Sequence, residues 1–340
     1  MKKKLFIITN ESFYIRDGNF FCDNIDLKSI PDELKKYFEI CIIGRKSNKP
    51  RSKKLETKSV KIYNNIISYL FFIIVSFFNN NNNYFIISIS PYTFISSIFL
   101  KIFFKKHFIY LRSDGYEEYK VILGKFGKLI YHIMFNISSL NANLISCRKY
   151  ILKNKNGKIV HPSQLNNKWF ASPKNLELNK LKLLYVGRIR VEKGIYSLLK
   201  ILKNSNIELT IITAEKEHKL NLTNPNIEIK SFENQNDDII KFYDENIILI
   251  LPSFTEGHPQ VLDEALARKR PIIVFNEISH VLRNRKGIFV CNRDLHSLKM
   301  TIDYIKKNYL KIKEEMNLNK LPTKQNFIKE LKDIILEDQI

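Results

Sequence analysis

The stretch that decides the fold runs from Ile247 to Ala267 and reads Ile-Ile-Leu-Ile-Leu-Pro-Ser-Phe-Thr-Glu-Gly-His-Pro-Gln-Val-Leu-Asp-Glu-Ala-Leu-Ala. The continuous apolar run at its start predicts a buried strand. Pro259 suits an early position of a helix, where its missing N–H costs nothing, so we expect a helix around residues 261–268. A buried strand, a polar loop and a helix in this order are typical of one βα unit of a parallel sheet.

The same alternation extends from this stretch over the second half of the chain. Short apolar runs predict strands, and apolar residues three and four positions apart predict helices. Further strands are expected at Leu183–Val186, Leu209–Ile212, Ile227–Ile229, Pro271–Phe275 and Gly287–Cys291, and helices at residues 195–202, 237–245, 278–283 and 294–307. We therefore expect this half to be one doubly wound domain.

The first half repeats the pattern with longer helical stretches between its apolar runs. Its strands are expected at Leu5–Ile8, Glu39–Ile43, Tyr84–Ile89, Phe108–Leu111 and Asn143–Ser146. Residues 161–173 mix proline with polar turn-forming residues, which indicates an interdomain connection. We expect an α/β protein with two Rossmann-like domains, at residues 1–165 and 172–340, whose last segment, Gln325–Glu337, is an amphipathic helix.

Cysteine usage and the N-terminal sequence bear on the cellular compartment. The 4 cysteines lie far apart without a Cys-x-x-Cys pair, so neither a disulfide framework nor a zinc knuckle is indicated. The basic start of the chain is similar to that of a signal peptide, but polar residues from Thr9 onward end the apolar run too early. We interpret residues 5–8 as a buried strand and expect a cytoplasmic protein.

The chain carries a formal net charge of +22 at pH 7, which would attract any polyanion, nucleic acid included. The excess lies in the first half: residues 1–170 hold 28 Lys and Arg against 11 Asp and Glu, whereas residues 171–340 hold 28 against 23. A compositional bias toward lysine, asparagine and isoleucine accounts for this distribution equally well. The charge alone therefore selects no partner.

Two apolar stretches of the first half, Ile66–Phe78 and Tyr92–Phe104, are shorter than the roughly 18 residues that a membrane span requires. They are either buried helices of the first domain or helices at a lipid interface, beside the basic run that begins at Arg45. The two alternatives are compatible if they concern different faces of the same helices.

The first candidate site is the loop of residues 187–194 between a strand and a helix, with Arg188 and Lys193 near its two ends. The start of a helix offers unpaired N–H groups and the positive end of the helix dipole. A guanidinium can bind phosphate through two parallel hydrogen bonds, and an ammonium adds a mobile positive charge. The two together therefore suit a diphosphate. The loop is neither a Walker loop nor a Gly-x-Gly-x-x-Gly turn, and by itself it also fits an ordinary charged βα loop.

The second candidate site contains two carboxylates. Glu256 lies in the loop at the carboxyl end of a strand, and Glu264 lies more than one turn into the next helix. This places them at different depths of one crevice, where each can accept hydrogen bonds from a different sugar diol. Alternatively, Glu264 and Arg268 form an ordinary surface pair at i, i+4.

The two sites together resemble a known family. Glu256 and Glu264 match the Glu-x7-Glu motif of the family-four retaining glycosyltransferases, and the Gly-Arg…Glu-Lys-Gly loop stands where that family has its donor-phosphate clamp. The resemblance covers about residues 181–292. It implies the GT-B fold, in which two Rossmann-like domains face a central cleft, and it leaves open whether the C-terminal helix crosses back to the first domain.

The resemblance also implies roles for individual residues. Arg188 and Lys193 would hold the donor diphosphate and stabilise its charge as the glycosidic bond breaks. Glu256 would contact hydroxyls of the transferred sugar, and Glu264 would bind the ribose. Retention in such enzymes looks like a front-face displacement in which the leaving phosphate helps to deprotonate the acceptor.

No metal site is expected from the sequence. The 7 histidines form no His-x-x-x-His pair, and the Asp-x-Asp of metal-dependent glycosyltransferases is missing. No cofactor is therefore expected beyond the nucleoside-diphosphate sugar, which is a co-substrate. His258 either lines the pocket or serves as a spacer.

Three features depart from the family pattern. Arg268-Lys269-Arg270 stands where the family often has a glycine, and its charges could instead meet phosphate. Gly18 stands somewhat late for the glycine-rich loop that the family usually carries after the first strand of the N-terminal domain, and a plain turn explains it equally well. Where the family commonly has a histidine, this chain has Arg112, a candidate for phosphate, and Asp114, which either orients or deprotonates an acceptor hydroxyl or caps the next helix.

The expected function is that of a hexosyltransferase. It would move a sugar from a nucleoside-diphosphate sugar to a glycan or lipid-linked acceptor in surface polysaccharide or glycoconjugate synthesis, peripherally at the inner, anionic face of a membrane. The alternatives are a nucleotide-sugar epimerase or a phosphorylase on the same fold, an inactive homologue that serves as a partner subunit, and a basic nucleic-acid-binding protein. The last lacks an aromatic and basic recognition motif, so no specific nucleic acid is expected.

Overall fold

The computed structural model describes residues 2–78, 82–171, 182–213, 220, 222–231 and 237–337. The chain divides into two compact units: unit 1 is Met1–His161 with Gln325–Ile340, and unit 2 is Pro162–Lys324. The division falls at the start of the connection that the sequence indicates at residues 161–173, of which residues 172–173 lie outside the described part.

Both units alternate strands with helices, which is the α/β architecture that the sequence predicts. The strands are β1 (Lys4–Arg16), β2 (Asn19–Cys22), β3 (Glu39–Lys46), β4 (Lys53–Lys54), β5 (Val60–Tyr63), β6 (Asn83–Ile87), β7 (His107–Leu111), β8 (Asn143–Ser146), β9 (Lys158–Ile159), β10 (Lys182–Val186), β11 (Glu208–Thr213), β12 (Ile227–Ser231), β13 (Ile248–Leu251), β14 (Ile272–Phe275) and β15 (Ile288–Cys291). The helices are α1 (Ile25–Leu34), α2 (Ile66–Val75), α3 (Pro91–Ile102), α4 (Gly115–Ser138), α5 (Asn167–Phe170), α6 (Ile195–Leu202), α7 (Asp237–Glu245), α8 (Gln260–Ala267), α9 (Leu295–Lys307), α10 (Tyr309–Met316) and α11 (Lys324–Glu337).

The sheet of unit 1 has a parallel core in the order β5-β3-β1-β6-β7-β8-β9. The short strands β2 and β4 extend it in antiparallel fashion beside the second half of β1. Successive side chains of a strand point to opposite faces of the sheet. Leu5 and Ile7 of β1 therefore join the core on one face, while Phe6 and Ile8 join the core on the other.

Helices cover both faces of this sheet. On one face lies α11, whose Phe327 and Leu331 are fully buried in the core that includes Leu5 and Ile7. On the other face lie α2, α3 and α4, through residues such as Ile73, Leu100 and Phe135. The last helix thus crosses back to unit 1. This corrects the expected second domain of residues 172–340, because the apolar stripe of α11 is buried in the core of unit 1.

The longest helix of unit 1 is α4, with 24 residues, and it is interrupted at Gly124. Gly124 has φ 65° and ψ −152°, a conformation that glycine adopts because it lacks a Cβ. Residues 115–123 and 125–138 are consequently two helical segments. Across the described ranges, no helix combines the length and the apolar character needed to cross a membrane.

Unit 2 contains a parallel sheet in the order β12-β11-β10-β13-β14-β15. The chain runs outward from β10 to β12, then returns to the other side of β10 with β13 and runs outward again. The order therefore reverses between β10 and β13. In open α/β sheets, ligands bind at the carboxyl ends of the strands beside such a reversal. A ligand site is therefore expected at the loops that follow β10 and β13.

Candidate functional site

The two loops that the sequence singles out meet at this reversal. Residues 187–194 follow β10 and residues 252–259 follow β13, which pairs with β10. Gly194 has φ 68°, and a Cβ added there would lie 1.8 Å from the carbonyl oxygen of Pro252. The glycine is therefore what lets the loops approach each other. Across the approach, the backbone N–H of Phe254 donates to the carbonyl oxygen of Glu192 at 3.0 Å.

We expect Gly194→Ala to lower the free energy of unfolding by about 2–4 kcal/mol, since the left-handed conformation and the clash with Pro252 each cost an alanine on the order of 1–2 kcal/mol. Gly18→Ala is the matched control, because Gly18 has φ 69° but nothing within 4 Å of an added Cβ. Denaturant unfolding followed by circular dichroism measures both losses. Equal losses would show that the loops do not depend on their close approach.

Lys193 and Glu256, both predicted from the sequence, are in direct contact. The Lys193 Nζ donates to Glu256 Oε1 at 2.6 Å, and the Ser253 hydroxyl donates to the same oxygen at 2.7 Å. The Glu256 side chain is 10% exposed and that of Lys193 is 26% exposed. Within the described part of the chain, Glu256 Oε2 accepts no hydrogen bond, so this carboxylate is held by one oxygen and can accept hydrogen bonds from hydroxyls through the other.

Arg188 lies on the same loop, with an exposed side chain. Its backbone oxygen accepts a hydrogen bond of 2.7 Å from the Tyr185 hydroxyl, which holds the backbone of the turn. The structure records no contact of its guanidinium with Lys193 or Glu256. Its predicted role in diphosphate binding stays a prediction, and it is geometrically open to an anion that arrives from solvent.

Glu264 occupies the first turns of α8 and is partly buried. The buried Tyr243 hydroxyl donates to Glu264 Oε2 at 2.6 Å. Burial, together with the charge of Glu264, raises the pKa of Tyr243 well above its usual value, so the phenol stays protonated and acts as the donor. This hydrogen bond orients the Glu264 carboxylate. Its predicted contact with ribose stays a prediction.

The two arginines that follow α8 are buried, so the structure does not support the alternative that they meet phosphate. Arg268 is 3% exposed, and its guanidinium binds Asp244 through two hydrogen bonds of 2.9 and 2.7 Å. Arg270 is 1% exposed and donates to the carbonyl oxygen of Tyr243 at 2.7 Å. Being buried, Arg268 is not the surface partner of Glu264 that the i, i+4 spacing indicated. Lys269 between them has φ 55°, the conformation for which a glycine is favoured.

His258 is a structural residue of the second loop. Its side chain is 6% exposed, and Nε2 lies 2.9 Å from the carbonyl oxygen of Pro162 and 3.1 Å from Asp263 Oδ2. Arg285 donates to Asp263 Oδ1 at 2.6 Å, so this carboxylate joins the loop to the segment before β15. The structure supports the spacer alternative for His258. Over the residues that the structure describes, no group of three His, Cys, Asp or Glu could hold a metal ion.

Arg293 was missed by the sequence analysis, although it holds the second loop. Its guanidinium donates to the carbonyl oxygens of Pro252 and Ser253 at 2.9 and 3.3 Å and lies 4.1 Å from the ring centroid of Phe254. Glu277 accepts from its Nε at 2.6 Å. Its position was the available signal in the sequence, because Arg293 lies two residues after β15 and so at the carboxyl edge of the sheet.

In unit 1, Arg112 lines a polar cavity of about 350 Å³ beside the middle of β1 and at the carboxyl ends of β6 and β7. Its Nε donates to the Ser88 hydroxyl at 3.3 Å, and its terminal nitrogens lie 3.6 Å from Asp26 and 3.9 Å from Glu11. Arg45 lines the same cavity. The carboxylates of Glu11 and Glu118 also line it, and the predicted contact of Arg112 with phosphate stays a prediction.

Asp114 and Gly18 are accounted for by local structure. Asp114 is the N-cap of α4: it accepts from the backbone N–H of Tyr116 at 3.0 Å and pairs with Lys153 at 2.8 Å. Gly18 and Asp17 form the two-residue turn between β1 and β2, with φ values of 69° and 50°. Hairpin turns of this kind require positive φ. For Asp114 the structure thus favours the helix cap over a base for the acceptor hydroxyl. For Gly18 it favours the plain turn over a contact with the donor.

A larger cavity of about 910 Å³ opens at the opposite edge of the unit 1 sheet, near the starts of β1 and β3. Lysines surround it, and one of them, Lys35, is paired with Glu56. Because parallel sheets bind ligands at their carboxyl edge, we assign no function to this cavity.

The match to a protein family lies within unit 2. Residues 167–321 match the family of glycosyl transferases, group 1. A Haemophilus influenzae protein described as an uncharacterized glycosyltransferase is 28% identical over 137 residues, which cover 36% of this chain and 38% of that relative. The chain thus matches about two fifths of the length of this curated relative.

Solved structures of similar fold cover nearly the whole chain. Sucrose-phosphate synthase from Thermosynechococcus elongatus superposes with a TM-score of 0.67 at 14% identity, over 99% of this chain and 98% of its own. HepE from Anabaena, solved in complex with UDP, superposes with a TM-score of 0.69 at 12% identity, over 100% of this chain and 99% of its own. Likeness at this identity shows the fold, which is GT-B. The chain therefore has the GT-B fold, and its residues 167–321 match the family of glycosyl transferases, group 1.

Proposed function

We propose that this protein is a retaining glycosyltransferase that moves a hexose from a nucleoside-diphosphate sugar to an acceptor hydroxyl. The observation that carries the proposal is the contact between Lys193 and Glu256 where the strand order of unit 2 reverses. One cation and one half-satisfied carboxylate stand side by side, beside the exposed Arg188. The binding of a sugar diphosphate requires cations for its phosphates and a hydrogen-bond acceptor for the hydroxyls of its sugar.

In the proposed reaction, Arg188 and Lys193 bind the diphosphate, and Glu256 accepts hydrogen bonds from hydroxyls of the sugar. The bond between the anomeric carbon and the phosphate oxygen breaks, and the electron pair stays on the diphosphate, whose growing charge the two cations stabilise. The acceptor oxygen attacks from the same face, and its proton passes to the leaving phosphate. Glu264, oriented by Tyr243, binds the ribose. No protein side chain has to act as acid or base, and no metal is invoked.

For the acceptor we propose a glycan or a lipid-linked saccharide used in surface polysaccharide or glycoconjugate synthesis. Support comes from the polar cavity around Arg112, which offers several hydroxyls and two guanidinium groups. The basic first half of the chain supports a peripheral location at the cytoplasmic, anionic face of a membrane. No specific nucleic acid enters the proposal.

The donor is tested by a thermal-shift panel of uridine, guanosine and adenosine diphosphate sugars in the presence of EDTA. The sugar nucleotides of one base should raise the melting temperature of the wild type. Arg188→Ala should weaken the binding of that donor by about 10- to 100-fold, since a charged hydrogen bond to phosphate contributes roughly 1.5–3 kcal/mol. Arg190→Ala, an exposed arginine of the same loop, is the matched control and should keep its affinity.

If no sugar nucleotide stabilises the wild type, the proposal is wrong. If the Arg188 and Arg190 variants lose the same affinity for the donor, Arg188 has no specific role in donor binding. Transfer to an added acceptor, rather than epimerisation or phosphorolysis of the donor, separates the proposal from the other enzymes on this fold.

A further inference from the structure

Three neighbouring helices of unit 1 share one face of its sheet. α3 contacts both α2 and α4, and all three pack onto the core that contains Phe6 and Ile8. Each helix precedes a strand of the parallel core, so all three end at the amino edge of the sheet. We call their side away from the sheet the outer face.

On the outer face, α4 carries a second apolar stripe. Its core stripe is buried through residues such as Tyr131 and Phe135. On the other side Phe126, Leu129 and Ile133 are 69%, 53% and 50% exposed. A helix that only has to pack against its own sheet needs one apolar stripe. The second stripe is therefore not explained by the folding of unit 1.

Large aromatic side chains are also exposed next to the ends of α2 and α3. Phe78, just after α2, is 87% exposed, and Phe104, just after α3, is 95% exposed. Phe104 also has φ 53°, which is unfavourable for a bulky residue. Phe103 next to it packs on Phe77 with ring centroids 5.0 Å apart, so the two helix ends are joined. Large apolar side chains that are exposed on adjacent helices indicate a binding surface rather than scattered exposure.

The charge of this region is one-sided. Between Glu56 and Glu177 the sequence contains 3 acidic residues, which are Asp114, Glu117 and Glu118. Exposed Lys125 and Lys128 flank Phe126 on α4, and exposed Lys106 lies two residues after Phe104. Lysines beside apolar side chains complement a surface that is apolar inside and anionic outside, which describes a bilayer with acidic headgroups.

We propose that the outer face of α2, α3 and α4 docks on an anionic lipid bilayer. The phenylalanines at the helix ends and the second stripe of α4 lie at headgroup depth, and the neighbouring lysines contact lipid phosphates. Docking deepens the proposed function by naming the surface on which a lipid-linked acceptor is presented. It requires nothing of the donor site, so the two can be tested separately.

Vesicle flotation tests this docking. Wild-type protein should bind phosphatidylcholine vesicles that contain phosphatidylglycerol at low salt and bind phosphatidylcholine alone much more weakly. The double variant Phe126→Glu/Ile133→Glu should lower the partition coefficient by about tenfold or more, because it removes two apolar side chains from the lipid and adds two charges. Lys125→Gln/Lys128→Gln should lower binding to the acidic vesicles by about tenfold and hardly change binding to neutral ones.

The matched control is Leu310→Glu/Leu318→Glu, which replaces two leucines of unit 2 that are each 73% exposed. It should bind vesicles like the wild type. Because all four replaced apolar side chains are exposed, each variant should keep the wild-type melting temperature and the shift caused by the donor nucleotide.

Three results would overturn the docking proposal. The wild type fails to bind acidic vesicles at low salt, or the control loses as much binding as the α4 variant. In the third result, the protein does not bind vesicles, and light scattering finds a dimer that the variant Phe126→Glu/Ile133→Glu converts to monomers. The outer face would then be an interface with a second copy of the chain. A protein that binds vesicles but no sugar nucleotide would refute the proposed function and leave the docking intact.

Discussion

The Lys193→Ala variant is expected to transfer sugar about 100 to 1,000 times more slowly than the wild type, because a charge that stabilises the leaving group contributes roughly 3–4 kcal/mol to the transition state. The diphosphate gains charge as the glycosidic bond breaks, so kcat should fall more than the affinity for donor. Steady-state kinetics of transfer, with the dissociation constant measured separately, give both quantities.

Lys200→Ala is the matched control, since this exposed lysine lies further along α6. It should keep the wild-type kcat. A Lys193→Ala enzyme whose kcat stays within a few-fold of the wild type would exclude Lys193 from the reaction. A fall in affinity alone would limit its role to binding.

The Asp244→Ala variant is expected to lose about 3–5 kcal/mol of the free energy of unfolding, because it leaves buried cations without their carboxylate. Asp244 accepts two hydrogen bonds from Arg268 and lies 3.6 Å from Arg270, and these arginines are 3% and 1% exposed. Replacing a whole buried ion pair by apolar groups is often tolerated, but removing one partner is not.

Trp169 reports this loss directly. It is the 1 tryptophan of the chain, belongs to unit 2 and packs against Tyr243 with ring centroids 5.4 Å apart. Urea unfolding followed by its fluorescence should show a lower midpoint concentration of urea for Asp244→Ala than for the wild type. The control is Asp303→Ala, which replaces an exposed aspartate on α9 and should leave the midpoint almost unchanged. Similar midpoints for both variants would mean that the arginines do not depend on Asp244.

Local sequence patterns determined most of unit 2. Strand Ile248–Leu251 and helix Gln260–Ala267 lie within a residue or two of their predicted places, because apolar runs and helical periodicity are properties of neighbouring residues. The same patterns placed Lys193 and Glu256 in loops after strands, and their roles stay predictions. Each lies in the loop that directly follows a strand, and parallel strands bring such loops to one edge.

Only the tertiary structure decided the partners of the remaining residues. Arg268 and Arg270 are the same residue types whether they face phosphate or a buried Asp244, and burial distinguishes the two. The apolar stripe of α11 predicted a helix without showing that it packs onto unit 1. The stripes of α4 are equally apolar in sequence, yet one is buried and the other is exposed. A sequence pattern shows that a side chain is apolar or charged, whereas contact with residues distant in the chain decides what it meets.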